Sequence, residues 1–541
     1  MKQSNALNQS QILKATLMVL MGFLAGGVLG IIRIFVISNA FGTSEALEIF
    51  YAAQRIPELI FTLIAGGALG SSFIPIYAKV RENNDQEAWR LASAVMSLVS
   101  LAALILGLFI SIFAPQIVHL ILLPGRSAEA QAITVDMIRI MMVTPFIFSI
   151  SGLIMGILQS HGLFFLPAIA ISMNSIGIII GTLLIAPLLP EGSPLVMVND
   201  LNVYGLAIGA VLSALLHLIV QLPGLFQIKA KLVFLPNWRI DGVIDVLKLM
   251  GPRVLGIAVV QINFLVNVNL SSDMVEGSFV ALNTAFMLMF FVLGIIGQSL
   301  SSAVFPTLAA LVAEKDMKAY KLRLAQAMRA VIFLALPATV FLILAGEHIV
   351  AFFERGEWTA QDTQATAWAL SLYAIGIIGF SLLEVLSRAF YALSDTWTPV
   401  LIGIAAMISN IILSLILIQW IGDPQQLVGG AFGGLALANS LTTLIEAAIL
   451  WALLRRKMGQ FDVPADLQDS YILMGLVKTG IASLIMGIAI YISLSILPAQ
   501  FRGLSDLVIC SLIGGSAFFL SAYLLGLPEA RTIPKRIFKR G

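Results

Sequence analysis

The sequence has little charge, one cysteine and few histidines. Only 11% of its 541 residues are Asp, Glu, Lys or Arg, where a soluble domain carries about 25%, so a water-soluble globular protein is excluded. Its one cysteine, Cys510, leaves no intrachain disulfide to form. The four histidines are scattered, and no metal-ligand spacing, phosphate-cradling glycine loop or nucleophile motif occurs. An enzyme would lack an acid–base set, and no cofactor is expected. A net charge of +2 supplies no basic field for nucleic acid.

What the chain has in excess is apolar sequence, 59% of the total. About fourteen runs are long enough to cross a hydrocarbon core of about 30 Å. The fold class expected is an all-α polytopic membrane protein. The polar residues 1–11 lead into the first run without a small-residue cleavage site, which reads as an uncleaved helix. Gly66 with Gly67, and Gly251 with Pro252, are expected kink points. Alternate loops are basic: Lys79, Arg81 and Arg90; Lys229, Lys231 and Arg239; Lys315, Lys318 and Lys321; Arg455, Arg456 and Lys457; and the tail with Lys535, Arg536, Lys539 and Arg540. The positive-inside rule puts these loops and both termini in the cytoplasm, as an even number of spans requires.

The chain repeats itself. The stretch from Gly66 to Ser72 with Pro75 recurs from Gly297 to Ser302 with Pro306, and Gly125 recurs as Gly356. Six spans per copy give a parallel repeat, the layout of many alternating-access transporters. The expected organisation is a six-helix lobe at 1–228, a second at 229–457, and two extra helices with a basic tail at 458–541.

The repeat is unequal in charge. Arg33 lies on the first span, and Glu48, Tyr51, Arg55, Glu58 and Thr62 follow at helical spacing on one face of the second. With the intervening turn near Ser44, both arginines lie about 16 Å deep, near mid-membrane. Each charge there costs about 2.5–3.5 kcal/mol even on a lenient scale, so the stripe should face a water-filled cavity. At the repeat offset, Glu48 corresponds to Phe279 and Arg55 to Phe286, while Arg33 falls opposite residues 259–264, none of them charged. Charge in one half and aromatics in the other suit an amphiphilic substrate with an anionic head. The bland reading of Arg33, Glu48, Arg55 and Glu58 is a structural ion-pair cluster, neutral in sum. Glu384 with Arg388 and Asp136 with Arg139 are spaced to pair with themselves. Arg253, after Gly251 and Pro252, either meets a phosphate or snorkels to lipid headgroups. His217, Glu446 and Lys478 are isolated polar residues in apolar helices, read as structural.

Several segments resemble the MurJ/MviN family of lipid II flippases in the multidrug/oligosaccharidyl-lipid/polysaccharide exporter superfamily: residues 56–75, VVQINFLVN at 259–267, FERGEWTAQDT at 353–363 and FYALSDTWTPV at 390–400. The resemblance implies a fourteen-helix protein of the bacterial cytoplasmic membrane, expected as a monomer, that moves an undecaprenyl-pyrophosphate-linked peptidoglycan precursor outward among the membrane lipids. It implies coupling to sodium or membrane potential, with Asn410 as the candidate sodium ligand, and substrate contacts at Arg33, Arg55, Glu48, Glu58 and Arg253. The sequence departs from the family pattern where cavity cations stand in relatives: Gly27, Phe61 and the region of Met287 are uncharged, and Ser414 follows Asn410 where an acid is usual. Those departures favour, as the alternative, an exporter of another polyprenyl-linked oligosaccharide or small molecule; the rival of a different class is a non-transporting membrane scaffold, which large soluble signalling domains would favour.

Overall fold

The computed structural model describes residues 9–64, 68–458, 469–496 and 504–531. They form two compact units, Met1–Glu276 and Gly277–Gly541. The first contains α1 (Gln9–Phe41), α2 (Glu45–Ile64), α3 (Ala68–Asn83), α4 (Asp85–Ile117), α5 (Ala128–Met141), α6 (Val143–Ser160), α7 (Phe165–Ile180), α8 (Tyr204–Ile219), α9 (Leu222–Gln227) and α10 (Val243–Ser271). The second contains α11 (Ser278–Leu293), α12 (Ser299–Ala313), α13 (Met317–Val350), α14 (Ala360–Ala374), α15 (Ile377–Ala392), α16 (Trp397–Leu417), α17 (Phe432–Met458), α18 (Asp469–Ile496) and α19 (Leu504–Leu524). A single hairpin, β1 (Met197–Val198) with β2 (Leu201–Asn202), is the only sheet among the described residues.

Backbone groups in hydrocarbon must be satisfied within the segment, so an apolar chain of this kind is committed to helix. Ten described spans are long and apolar enough to cross a membrane, or eleven with the bent pair α14–α15 counted as one. The charged or partly described α1, α2 with α3, and α10 take the places of the first, second and seventh expected spans. The protein is thus a multi-pass membrane protein. Its outer faces are apolar, as Leu401, Ile408, Ile412 and Leu415 on α16 illustrate by their exposure.

Helix ends are set by local chemistry. The Asn84 side chain accepts from the amides of Gln86 and Glu87 and opens α4, whose first turn carries Asp85 and Glu87. Thr359 and Asp362 form a reciprocal capping box at the start of α14. Three spans widen into a π-helical turn: Val118–Leu122 after α4, Gly181–Ile185 after α7, and Gly294–Gln298 between α11 and α12.

The seventh span, α10, packs against α2 and α3 and belongs to the first unit, whose boundary therefore falls after Glu276. It runs as one helix through Gly251 and Pro252; Gly66 and Gly67 lie outside the described residues, as do Lys535, Arg536, Lys539 and Arg540. Below α10, the core of the unit closes around Phe73, Tyr77, Trp89, Leu91 and Ile157. In the second unit α18 packs on α13 and α19. Arg329 of α13 is buried there, with its Nε 2.7 Å from Glu529 Oε1 and its guanidinium 4.0 Å from the Tyr471 ring centre.

Candidate functional site

The polar stripe on α2 begins in a helix that the sequence interrupts. Pro57 lies inside α2 and has no N–H to give the carbonyl of Ala53, which is left a free acceptor beside Arg55. Tyr51 and Arg55 are buried, 5% and 8% exposed, so their polar atoms are turned inward rather than to lipid. Arg33 on α1 and Arg55 on α2 both act electrostatically on the Tyr51 hydroxyl. Both guanidinium groups are therefore within electrostatic range of that hydroxyl. Arg55 Nη1 donates to Glu58 Oε2 at 3.0 Å. Glu58 is half exposed, and the rest of its carboxylate is open to the surroundings.

The fourth charge of the stripe has a different partner. Glu48 is 3% exposed, and its Oε2 accepts from Arg126 Nη2 at 2.5 Å. Arg126 lies in the loop before α5, so Glu48 marks the outer end of α2 and its charge is balanced there. That loop reaches α2 because it can lie against the end of α10. A Cβ on Gly125 would come within 1.9 Å of Asp273 Oδ1 and 2.9 Å of the Ser272 carbonyl, and the Gly125 amide approaches Ser272 Oγ at 3.4 Å. Thr62, the last member of the stripe, donates its hydroxyl to the Glu58 carbonyl at 2.7 Å and serves the helix.

With Glu48 matched by Arg126, the inner part of the stripe holds two guanidinium groups and one carboxylate. It carries one net positive charge inside an apolar unit, which suits an anion with several oxygens.

Helix α10 completes this place. The Phe264 ring lies 4.9 Å from the Arg55 guanidinium carbon, a cation–π contact worth about 0.5–2 kcal/mol depending on how dry it is. One residue away, Asn263 Oδ1 is buried and accepts no hydrogen bond from a described residue, and Asn267, one turn on, is 5% exposed. Sequence reasoning did not single out Arg126, Asn263 or Phe264. Its signals for the last two were the repeat, which set Arg33 opposite residues 259–264, and the family-like segment at 259–267 that contains them.

Of the other expected site residues, Arg253 lies on α10, and its side chain is outside the described residues. Asn410 is buried on α16 at 3% exposure with the buried Ser414 one turn on, in the second unit. Phe61, where the family resemblance led us to expect a cation, packs its ring 4.6 Å from Phe148 on α6. In the second unit Phe286, the counterpart of Arg55, meets Phe290 at 5.8 Å and Tyr373 at 5.5 Å. The aromatic half of the repeat is therefore an aromatic cluster in space as well as in sequence. No group of three or more His, Cys, Asp and Glu able to hold a metal occurs among the described residues.

Comparison with known proteins agrees with this architecture. A family model described as lipid II flippase MurJ matches residues 37–511. A lipid II flippase MurJ of Burkholderia cenocepacia is 29% identical over 449 residues, 82% of this chain and 83% of its own. Among solved structures, a lipid II flippase MurJ in an inward closed conformation superposes with a TM-score of 0.76 at 24% identity, covering 94% of this chain and 98% of that one. An inward-facing MATE family multidrug resistance transporter of the MOP superfamily superposes at 0.63 with 15% identity, over 80% of this chain and 94% of that one.

Proposed function

The chain belongs to the family of lipid II flippases MurJ, and on that premise we propose that it carries lipid II from the inner to the outer leaflet of the bacterial cytoplasmic membrane by alternating access. It is a transporter and not an enzyme. The observation that carries the proposal is the buried Arg55 guanidinium, paired with the half-exposed Glu58 at 3.0 Å and backed by the Phe264 ring at 4.9 Å, with Arg33 in electrostatic range of the neighbouring Tyr51 hydroxyl. A pyrophosphate entering a low-dielectric site must find cations there, because an unpaired charge is expensive to bury. The Arg55 fork can exchange the Glu58 carboxylate for two oxygens of a phosphate, which the planar guanidinium grips in pairs. Phe264 holds the guanidinium from behind while that exchange occurs. The undecaprenyl tail stays with the membrane lipids throughout. The loops rich in Lys and Arg put both termini in the cytoplasm.

Asn410 and Ser414 offer two side-chain oxygens on one helix face, fewer than a sodium ion requires, so the residues give little support to sodium at that place. A second reading, transport of another polyprenyl-linked oligosaccharide, is favoured by Phe61. Its contact with Phe148 gives to packing a position where the family resemblance implies a cation.

The test is to express the chain in a bacterium depleted of its own lipid II flippase, and to follow head-group translocation of labelled lipid II in proteoliposomes. Rescue with translocation supports the proposal. Translocation of a different lipid-linked sugar, with none of lipid II, selects the second reading. Failure with both substrates in folded protein refutes the transport function.

A further inference from the structure

The second unit carries its own charges inside the membrane. Glu384 and Arg388 of α15 pair at 3.5 Å, and Arg388 Nη1 also donates to Ser302 Oγ of α12 at 2.6 Å. Glu446 of α17 is only partly exposed, and Glu384, Arg388 and Glu446 all act electrostatically on Tyr391. The depth of the two carboxylates follows from a second ion pair. Lys457 Nζ and Asp395 Oδ2 meet at 2.6 Å at the ends of α17 and α15. Glu384 precedes Asp395 by eleven residues and Glu446 precedes Lys457 by eleven. At about 1.5 Å per residue, both lie roughly 16 Å in from that pair, near mid-membrane.

At equal depth the two acids are treated differently. Glu384 has Arg388 to balance its charge. No hydrogen bond or ion pair joins the Glu446 carboxylate to another described residue. Its Oε1 instead lies 3.6 Å from where Gly403 of α16 would carry a Cβ. The elements packed on α17 offer it no second cation. Helices α16 and α11 contain no ionisable side chain, and α14 contributes only Asp362, held in its capping box, and Tyr373. Arg455, Arg456 and Lys457 are on the last turn of α17 itself. An isolated carboxylate in hydrocarbon takes up a proton rather than remain charged. A metal cation would need several converging oxygens, and no such group of acids is present among the described residues.

We propose that Glu446 is a proton-binding site at mid-membrane in the second unit, through which a proton gradient drives transport. This inference rests on the transport function proposed above. The carboxylate takes a proton from the external side, forming its O–H bond there, and releases it to cytoplasmic water in the other state of the cycle. Glu384 has Arg388 to share its charge, whereas Glu446 has no such partner among the described residues, so the exchange is assigned to Glu446.

The test uses the full chain in proteoliposomes. Infrared difference spectra between neutral and alkaline medium should show the carbonyl band of a protonated carboxylic acid in wild type and in Glu384→Gln, and lose it in Glu446→Gln. Glutamine has the shape of the neutral acid, so the variant should fold. With the membrane potential clamped, an inward gradient of one pH unit should raise the wild-type lipid II rate by up to about tenfold and leave the Glu446→Gln rate unchanged. A band that persists in Glu446→Gln, or an equal response to the gradient in both proteins, overturns the proposal. If wild type moves no lipid II at all, the transport reading fails instead, and the infrared result still judges the proton site.

Discussion

The Glu276 carboxylate accepts a hydrogen bond from the Glu45 backbone N–H at 2.7 Å, across 231 residues of chain. A residue at the far end of the first unit thus caps the helix that carries Tyr51, Arg55 and Glu58. Arg126, Glu129 and Glu276 all act electrostatically on Glu45, so Arg126 is the cation that holds this outer group of acids together. Loss of a side-chain cap costs about 1 kcal/mol. Glu276→Ala should therefore lower the stability of the detergent-solubilised protein by about that much, and Glu276→Gln by less, since an amide oxygen still accepts. Thermal unfolding followed by fluorescence checks both. Equal losses would mean that the negative charge, not the hydrogen bond, is what α2 uses.

Arg33→Ala and Arg55→Ala should each abolish lipid II translocation while leaving the protein inserted. Arg55→Lys should recover part of it, because lysine keeps the charge without the planar fork. Glu48→Gln should be milder, since Glu48 is bound to Arg126 at the outer end of α2. Translocation at the wild-type rate by both alanine variants would show the stripe to be structural.

Arg329 and Glu529 form a buried pair, 6% and 14% exposed at their side chains. Removing one partner of such a pair costs about 3–5 kcal/mol, because the other charge is left buried. Arg329→Ala and Glu529→Ala should both loosen α18 and the segment after α19 from α13, read as faster proteolysis of the C-terminal region. The double variant Arg329→Met with Glu529→Leu should recover much of the stability. If it is as sensitive as the single variants, the pair contributes more than the relief of buried charge.

Asp395 lies in the turn between α15 and α16. Burial opposes its charge, and this is outweighed by Lys457 together with the Thr398 amide and hydroxyl, so its carboxyl is held below the ordinary 3.8. A lowered carboxylate contributes stability above 3.8 that is lost as pH falls through the lower native value. Lys457 is 46% exposed, which keeps the contribution under about 1 kcal/mol. Asp395→Asn should be slightly less stable than wild type at neutral pH, and the two should converge in acid. A difference that survives at low pH would assign the effect to the Thr398 hydrogen bonds alone.

The orientation can be read with single cysteines in a Cys510→Ala background. Positions Glu82, Lys318 and Glu354 are exposed. An impermeant thiol reagent applied to intact cells should label only the Glu354→Cys protein. Labelling at 82 or 318 with silence at 354 would invert the topology.

Much of this was legible from spacing. The helical spans follow from apolar run length, ten or eleven of them among the described residues, and the pairing of Arg55 with Glu58 follows from their i, i+3 spacing. The two most recognisable motifs proved to be turns: Trp358 Nε1 donates to Thr363 Oγ1 beside the capping box of Thr359 and Asp362, and Asp395 caps α16 through Thr398. Caps are local, so sequence carries them. Arg126 was not legible as the partner of Glu48, because 78 residues separate them and only the close approach of Gly125 to Asp273 brings the loop there. Phe264 was hidden for a similar reason: an apolar side chain in an apolar helix gives no sign that it faces a cation. Glu384 with Arg388 was read correctly as a pair, yet pairwise spacing could not bring Glu446, on another helix, to the same depth.

The π-turn at Gly294–Gln298 holds an extra residue in the run from α11 to α12. Its Gly297 has no space for a side chain, since a Cβ would lie 2.9 Å from the Ser381 backbone. Such a bulge is a stored unit of register. If it travels along the span, each residue it passes turns by about 100° about the helix axis, while the chain neither lengthens nor unwinds. Ser302, which anchors Arg388, lies four residues beyond it. A crankshaft of that kind would break the anchor by rotation alone, without displacing a single helix.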